Sequence, residues 1–209
     1  MTLVNSNLRY SFESFMYARN LPDIIPNLDL SWLQKYTRKE VDRLLDSAYN
    51  PELRWKSLTD SVLVLHFHEN PIVRHEAAFI LGQINYENDS ERTVTVKNLR
   101  FSMRQDRDIV PRHESIEALG EENTFCAYSI GAAADMTKIN TYWLDYLDIQ
   151  ATVEEAFSNI VEWLKKKEGY EKVVSELLAW KNKPKIANLE ELHTGKSNLE
   201  LLLRMRKRR

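Results

Sequence analysis

Apolar residues recur at three- and four-residue steps through most of the chain, and this spacing predicts α-helices that each bury one face. The clearest pattern begins at Pro71, where proline is tolerated in the first turn of a helix, and runs to about Asn85. Five of its apolar residues fall on one face: Ile72, Ala77, Ile80, Leu81 and Ile84. This stretch therefore predicts an amphipathic helix that packs against a core.

The same spacing predicts further helices on both sides of this one. The aromatic stretch Tyr10–Tyr17 predicts a short helix, and Pro22 and Pro26 end any continuation of it. Other helices are predicted at about 33–48, 51–66, 94–104, 109–120, 123–134, 140–147, 152–167 and 170–181. The polar segment 86–93 predicts a loop, and Thr152–Glu155 has the pattern of a capping box at the start of a helix.

Composition and repetition extend this picture to the whole fold. Only 5 Gly and 6 Pro occur in 209 residues, so the chain has few of the turn residues that a β-rich fold needs. The stretches Ile72–Gly82 and Ile109–Gly120 both contain Arg-His-Glu followed by Leu-Gly, and their histidines are 38 residues apart. Such a period is typical of solenoids built from paired helices. The sequence predicts an all-α fold, a short HEAT-like solenoid of αα-hairpins with extra N-terminal and C-terminal helices.

The spacing of apolar residues and the repeat together predict three segments of the chain. Residues 1–30 are predicted to form an N-terminal arm, and residues 31–181 a HEAT-like helical repeat domain whose repeat signal is clearest over 50–120. Residues 182–209 are predicted to form a linker, a terminal helix and a basic tail.

Charge and cysteine content narrow the possible partners and compartment. The formal net charge of −2 gives no overall field that would attract nucleic acid or an anionic membrane, and no stretch is apolar for long enough to span a bilayer. The basic end Arg204–Arg209 is interpreted as a solvated tail, with nucleic-acid contact or a nuclear address as the alternative. The single Cys126 and the absence of a signal-peptide pattern after Met1 predict a reducing, cytoplasmic setting.

The two His-Glu pairs, His75-Glu76 and His113-Glu114, are the residues with the strongest chemical signal. Adjacent residues of a helix project about 100° apart, so the two members of a pair serve different roles rather than chelating one ion. Equivalent positions in stacked helical repeats lie on one side of the array, about 10 Å apart. Imidazole and carboxylate together suit non-haem iron, and one cysteine cannot build a sulfur site. The in-phase repetition therefore predicts a metal site.

The stretches that carry these pairs, Ile72–Ile84 and Arg112–Gly120, resemble the paired motifs of deoxyhypusine hydroxylase, a two-lobed, HEAT-like di-iron enzyme. Each lobe of that family has a first His-Glu motif that ends in Leu-Gly-Gln and a second that ends in Glu-Ala-Leu-Gly, and both endings occur here in that order. The resemblance covers about residues 50–120. It implies that His75, Glu76 and His113 are iron ligands and that Glu114 faces the substrate.

The family carries four His-Glu motifs in one chain, whereas this chain carries two and so resembles one lobe. One lobe does not complete a two-iron ligand set, and a homodimer with the site across its interface would supply the rest. The alternative is that further ligands come from His66, His68, Glu69 or His193 of the same chain. His68-Glu69 lies before Pro71, out of phase with the repeat, and is interpreted as a helix end.

The leading functional hypothesis is a di-iron oxygenase that hydroxylates an unactivated C–H bond. A second hypothesis is a non-catalytic HEAT-repeat adaptor whose concave surface binds a protein partner. A third is a bilin lyase-like or chaperone-like factor, because short repeats of this kind also occur in that class. Iron content and near-ultraviolet charge-transfer absorption separate the first hypothesis from the other two.

Overall fold

The computed structural model of the chain describes residues 10–25, 27–139 and 147–182, and the side chains of residues 147–150 are not part of that description. Helices connected by turns and short loops make up these residues, and no strand occurs among them. The predicted all-α fold is therefore confirmed. Within this part of the chain, every helix is too short or too polar to cross a membrane.

The helices follow the repeated pattern of the sequence closely. In chain order they are α1 (Phe12–Tyr17), α2 (Leu21–Ile24), α3 (Arg38–Ala48), α4 (Arg54–Phe67), α5 (Pro71–Gln83), α6 (Asp89–Gln105), α7 (Ile109–Leu119), α8 (Ser129–Met136), α9 (Leu147–Lys165) and α10 (Glu171–Lys181). Short 3-10 helices occur at Ala18–Asn20, Ser31–Lys35 and Glu122–Thr124.

The longer helices form two layers, as a stack of helical hairpins requires. Helices α3, α5, α7 and α9 pack side by side in a layer that we call the first layer. Helices α4, α6, α8 and α10 form the second layer, and the successive helices α4 and α5, α6 and α7, and α8 and α9 pack against each other across the two layers. The short α1 packs against α4 and α6 of the second layer. Both His-Glu pairs therefore lie on neighbouring helices of the first layer.

The two motif helices begin in the same way. Pro71 is the first residue of α5, and the Asn70 side chain accepts a hydrogen bond from the Ile72 N–H at 2.9 Å. Pro111 lies in the first turn of α7, where its missing N–H costs no intrahelical bond. Asp108 precedes α7 but does not cap it, because its carboxylate lies 2.6 Å from Arg74. The start of each helix determines the position of its His-Glu pair within the first layer.

The arginine of the first motif has a structural role. Arg74 is 2% exposed, and its guanidinium pairs with Asp106 at 2.8 Å as well as with Asp108. It also donates to the main-chain oxygens of His68 and Glu69, so most of its donors are satisfied within the fold. A buried charge of this kind is tolerated because it is paired and hydrogen-bonded. Arg74 thus ties the start of α5 to the loop before α7.

The glycines of both motifs mark the closest approach of neighbouring first-layer helices. A Cβ placed on Gly82 of α5 would lie 2.9 Å from the Cβ of Ala118 in α7. A Cβ on Gly120, directly after α7, would lie 2.7 Å from the Cα of Ala156 in α9. Only residues without a side chain, or with a single methyl group, allow two helix backbones to come this close. The Leu-Gly ending of the motif is therefore a packing signal.

Two predicted boundaries are wrong for identifiable reasons. The segment 86–93 was expected to be a loop, but α6 already begins at Asp89 because Asn88 caps it by accepting the Glu91 N–H at 3.0 Å. Glu91 itself is fully buried in an ion pair with Arg54 of α4. Likewise, Thr152–Glu155 is no capping box, since α9 starts at Leu147 and Thr152 lies inside it.

The other predicted helices either correspond to observed helices or lie outside the described residues. The helices expected at 51–66, 109–120 and 170–181 correspond to α4, α7 and α10, and the stretch 33–48 contains a 3-10 turn followed by α3. Most of the stretch expected at 140–147, together with the terminal helix and basic tail after residue 182, lies outside the described residues.

The close approach at Gly120 gives a test of the packing. Gly120→Ala should lower the free energy of unfolding by about 1–3 kcal/mol, because the new methyl group meets the backbone of α9, which cannot move aside locally. Denaturant unfolding followed by circular dichroism measures this change.

Gly131→Ala is the matched control, because its new Cβ would meet only the end of the flexible Arg100 side chain, and alanine favours the helix by about 1 kcal/mol. The packing argument fails if Gly120→Ala unfolds like the unchanged protein, or if Gly131→Ala costs as much.

Candidate metal centre

The first motif histidine contacts the second motif glutamate. His75 of α5 and Glu114 of α7 face each other across the first layer, with 2.9 Å between His75 Nε2 and Glu114 Oε2. Glu114 is buried, whereas the His75 side chain is 30% exposed. The hydrogen bond that His75 donates to Glu114 raises the pKa of His75 above its ordinary value of 6.5, against the smaller opposing effect of burial.

The second motif histidine adds to the same cluster. His113, Glu114 and Glu117 can present one nitrogen and two carboxylate oxygens that all lie within 4.8 Å of one another. The adjacent residues His113 and Glu114 can therefore reach one ion, contrary to the expectation from their 100° separation on the helix, because both side chains are long enough to converge. His113 Nε2 also lies 2.9 Å from the Thr152 hydroxyl oxygen of α9, which fixes the orientation of the ring. Partial burial, followed by the charge of Glu114, raises the pKa of Glu117. We call His75, His113, Glu114 and Glu117 the histidine-glutamate cluster.

Glu76 takes a different direction from His75. Its buried carboxylate forms an ion pair with Arg38 of α3, with 2.6 Å between Oε2 and the arginine Nε. Burial, followed by a hydrogen bond and repulsion from Asp42 of α3, raises the pKa of Glu76 above its ordinary value. The two residues of the first pair thus serve opposite neighbours: His75 points towards α7, and Glu76 towards α3.

The other residues considered as ligands lie elsewhere. His66 and His68 are at the end of α4 in the second layer, where His66 Nε2 bonds the Asn98 side chain at 3.0 Å and burial lowers the pKa of His66 to about 4. His68 is the C-cap of α4, as expected for a helix end, and Glu69 after it is exposed. His193 lies outside the described residues. Among the residues that the structure describes, only His113, Glu114 and Glu117 satisfy the geometry of a possible metal-binding group.

Sequence reasoning missed several partners of the predicted site. Glu117 follows His113 by four residues and Glu114 by three, so helical spacing alone would have placed it on the same face. Arg38 precedes Glu76 by 38 residues, and Thr152 follows Glu114 by 38 residues, so both positions are in phase with the repeat. Neither belongs to a recognisable His-Glu motif, so only the stacking of the helices identifies them as partners.

A small polar cavity of about 90 Å³ adjoins the histidine-glutamate cluster between α7 and α9. Glu117 and Glu121 line it from the α7 side, and Thr152, Glu155 and Asn159 from α9. The cavity has room for about three water molecules or a small polar group beside the cluster.

The donor set is a mixture of imidazole nitrogen and carboxylate oxygen. Such ligands suit divalent iron, manganese or zinc, while sites for softer metals use cysteine sulfur. Cys126 is buried away from the cluster, between α6 and α8, where its sulfur lies 4.0 Å from the Thr93 hydroxyl. Metal binding would displace the proton that Glu114 holds on His75, so affinity for a cation should fall as the pH is lowered.

Comparisons of the chain with protein-family models, with curated proteins and with solved structures found no match.

The contact between His75 and Glu114 can be tested in protein freed of metal by a chelator. The pKa of His75, followed by histidine NMR signals, should lie above 6.5 and should fall in Glu114→Gln, because the neutral amide no longer stabilises the imidazolium. Glu162→Gln is the control, since this exposed residue pairs with Lys165 within α9. An unchanged His75 titration in Glu114→Gln would contradict the observed contact.

The same contact predicts the sign of a pH effect on stability. Since the folded-state pKa of His75 is raised, its contribution to the free energy of unfolding is fully present below the unfolded pKa near 6.5 and is lost as the pH rises through the folded pKa. The stability difference between the unchanged protein and Glu114→Gln should therefore shrink as the pH rises through this window. Urea unfolding at a series of pH values measures it, and a difference that grows with pH would contradict the assignment.

Proposed function

We propose that the protein is a non-haem iron oxygenase that hydroxylates a C–H bond, with iron held by His75, His113 and Glu114. The observation that carries this proposal is the convergence of the two motif histidines on one buried carboxylate. The two histidines belong to successive repeats, so the site is a product of the stacking. The resemblance of both motifs to deoxyhypusine hydroxylase supports iron over other divalent metals.

The residues present fit one iron ion. His113, Glu114 and Glu117 can present one nitrogen and two carboxylate oxygens within 4.8 Å of one another, and His75 Nε2 lies 2.9 Å from the Glu114 carboxylate, so a shift of the His75 ring would add the second imidazole. Histidine and carboxylate ligands of this kind suit non-haem iron. Bound iron would supply the activation of dioxygen, and hydroxylation also consumes two electrons and two protons, so a separate reductant is required. The protein contributes position: Thr152 orients His113, and the packing of α5 on α7 holds Glu114 out of solvent.

The observed contacts favour a different division of roles from the one that the resemblance implies. There, Glu76 is a ligand and Glu114 faces the substrate. Here, Glu114 lies with both histidines, while Glu76 is held on the α3 side by Arg38. We therefore assign Glu114 to iron within one chain, with Glu117 as a further ligand or as a base beside it.

A homodimer would give Glu76 a metal to bind. Its carboxylate points away from the histidine-glutamate cluster of its own chain, so a ligand role requires an ion held mainly by another copy. A two-fold axis is the commonest symmetry of soluble oligomers, and a shared site requires that Glu76 of each copy leave its ion pair with Arg38 and reach the histidines of the other copy. Two such sites make the two-iron set of the resembled family.

Alanine substitution of the histidines tests the ligand assignment. His75→Ala and His113→Ala should each abolish most iron binding, measured by elemental analysis after anaerobic loading, with nearly unchanged helical circular dichroism. His193→Ala is the matched control and should keep its iron. The ligand set is wrong if either first-layer variant retains full iron, or if His193→Ala loses it.

Glutamine substitution then separates the two glutamates. Glu114→Gln should lose iron even in a monomer, because it removes the only buried carboxylate of the cluster. Glu76→Gln should reduce iron only where a dimer forms. Iron retained in Glu114→Gln together with lost turnover would restore the substrate-facing role that the resemblance implies.

Mixing two inactive chains tests the shared site. A His75→Ala chain combined with a Glu76→Ala chain should recover one intact iron position in the heterodimer, since both substitutions then fall in the same site and the other site keeps all its ligands. The matched control combines His75→Ala with His113→Ala, which damages both sites and should recover no iron. A protein that stays monomeric at high concentration and still binds two irons would refute the dimer.

A second candidate function, the non-catalytic adaptor, is favoured by exposed apolar side chains on the same helices. Ile72 and Phe79 are seven residues apart on α5, and therefore on one face of it, with His75 between them. Val110 of α7 is also exposed. Exposed apolar groups of this kind contact either a substrate or a protein partner. An adaptor would carry no stoichiometric iron and no charge-transfer absorption, whereas the oxygenase requires both.

A further inference from the structure

A second cleft lies on the opposite layer of the fold from the histidine-glutamate cluster. Its volume is about 600 Å³. The N-terminal arm contributes Arg19 and Asn20, the end of α4 contributes His66 and His68, and α6 contributes Phe101. The cleft thus exists because the arm packs across the ends of α4 and α6.

His68 lines this cleft, and its ring has a buried donor that no described residue uses. The residue is only 5% exposed, and its Nδ1 accepts a hydrogen bond from the Asn70 N–H at 3.0 Å. Because Nδ1 uses its lone pair as an acceptor, the proton of the neutral ring is on Nε2. Nε2 is buried and has no hydrogen-bond partner among the described residues. A buried donor without a partner is costly unless a ligand or an ordered water supplies an acceptor.

Arg19 brings a positive charge to the same cleft. Its guanidinium lies 4.4 Å from the centre of the Phe101 ring, which holds it in place, and its Nε donates to the Asn20 side chain at 3.3 Å. In the described part of the chain, Arg19 forms no ion pair with a carboxylate. Burial, followed by repulsion from Arg104, lowers the pKa of Arg19.

The acidic residues of the cleft do not supply that charge. Both carboxylate oxygens of Asp106 are taken by Arg74, at 2.8 and 3.0 Å. Asp23 and Glu69 line the cleft but are exposed to solvent, where their charges are screened. Arg107 also lines it and donates to the main-chain oxygen of Glu69. The interior of the cleft therefore offers donors, and the unpaired carboxylates are on its solvent side.

We propose that this cleft binds the oxyanion of a small molecule, a phosphate or carboxylate group, between the Arg19 guanidinium and the His68 Nε2–H. Both groups donate and one is charged: the His68 Nε2–H has no acceptor among the described residues, and Arg19 uses its Nε–H on the Asn20 side chain but forms no ion pair there. The oxyanion would accept from the Arg19 fork directly and from His68 directly or through one ordered water. His66 also lines the cleft, but its Nε2 is engaged by Asn98 and burial lowers its pKa to about 4, so its ring is neutral near pH 7.

Binding can be measured by NMR titration with inorganic phosphate and, separately, with acetate. The side-chain signals of Arg19 Nε–H and His68 should shift in a saturable manner with the oxyanion that fits, and the stronger of the two identifies its class. Arg19→Gln should weaken this binding about tenfold or more, the loss expected for a hydrogen bond to a charged group. Arg43→Gln removes the same charge from an exposed position on α3 and should change affinity less than twofold.

Several results would overturn this assignment. The first is the absence of any shift with either anion at millimolar concentration. The second is equal weakening of binding by Arg19→Gln and Arg43→Gln, since the anion would then be attracted only by the long-range charge of the protein. The tautomer of His68, read from its nitrogen shifts before any anion is added, is an independent check: a proton on Nδ1 would remove the proposed donor. His68→Phe keeps the ring volume and should also weaken binding, with thermal unfolding used to confirm that the variant is folded.

Discussion

The distance between neighbouring helices of the first layer is set by glycine. At Gly82 and again at Gly120, the backbone of one helix nearly touches an alanine of the next, and a side chain at either position would force the pair apart. Longer side chains elsewhere along these helices must then meet their neighbours across a short gap. His75 reaches Glu114, and His113 reaches Thr152, only because the helices are this close.

In the first His-Glu motif, some residues pack the helix and others contact neighbouring helices through polar groups. Arg74 anchors the start of its helix, Leu81 is buried in the core, and Gly82 allows the close approach. The residues left over, His75 and Glu76, turn to opposite neighbours, α7 and α3. A motif of this kind therefore has a structural reason for most of its residues, and its histidine and glutamate make the contacts with neighbouring helices.

Much of this arrangement could be predicted from the sequence, and the predicted helix boundaries that were wrong have physical explanations. The limits of α5 and α7 could be predicted because proline marks their starts and apolar residues keep a helical period. The start of α6 could not, because Glu91 is a charged residue that is fully buried by its pairing with Arg54, and a charge in a sequence is ordinarily interpreted as surface. The start of α9 was obscured by Thr152, whose pattern suggests a cap.

For the site, the repeat predicted that His75 and His113 belong to one side of the stack, but it did not predict that His75 would bond the glutamate of the following motif. That pairing depends on how far α5 and α7 are shifted along each other. This shift is determined by the packing of their side chains, and the 38-residue period of the sequence does not reveal it. In both motifs the histidine precedes the glycine by seven residues, two turns of one helix, so the reactive side chain and the packing point share a face. Duplication of a single helical hairpin would copy both together, and a site between repeats would then arise in the same genetic event that lengthened the stack.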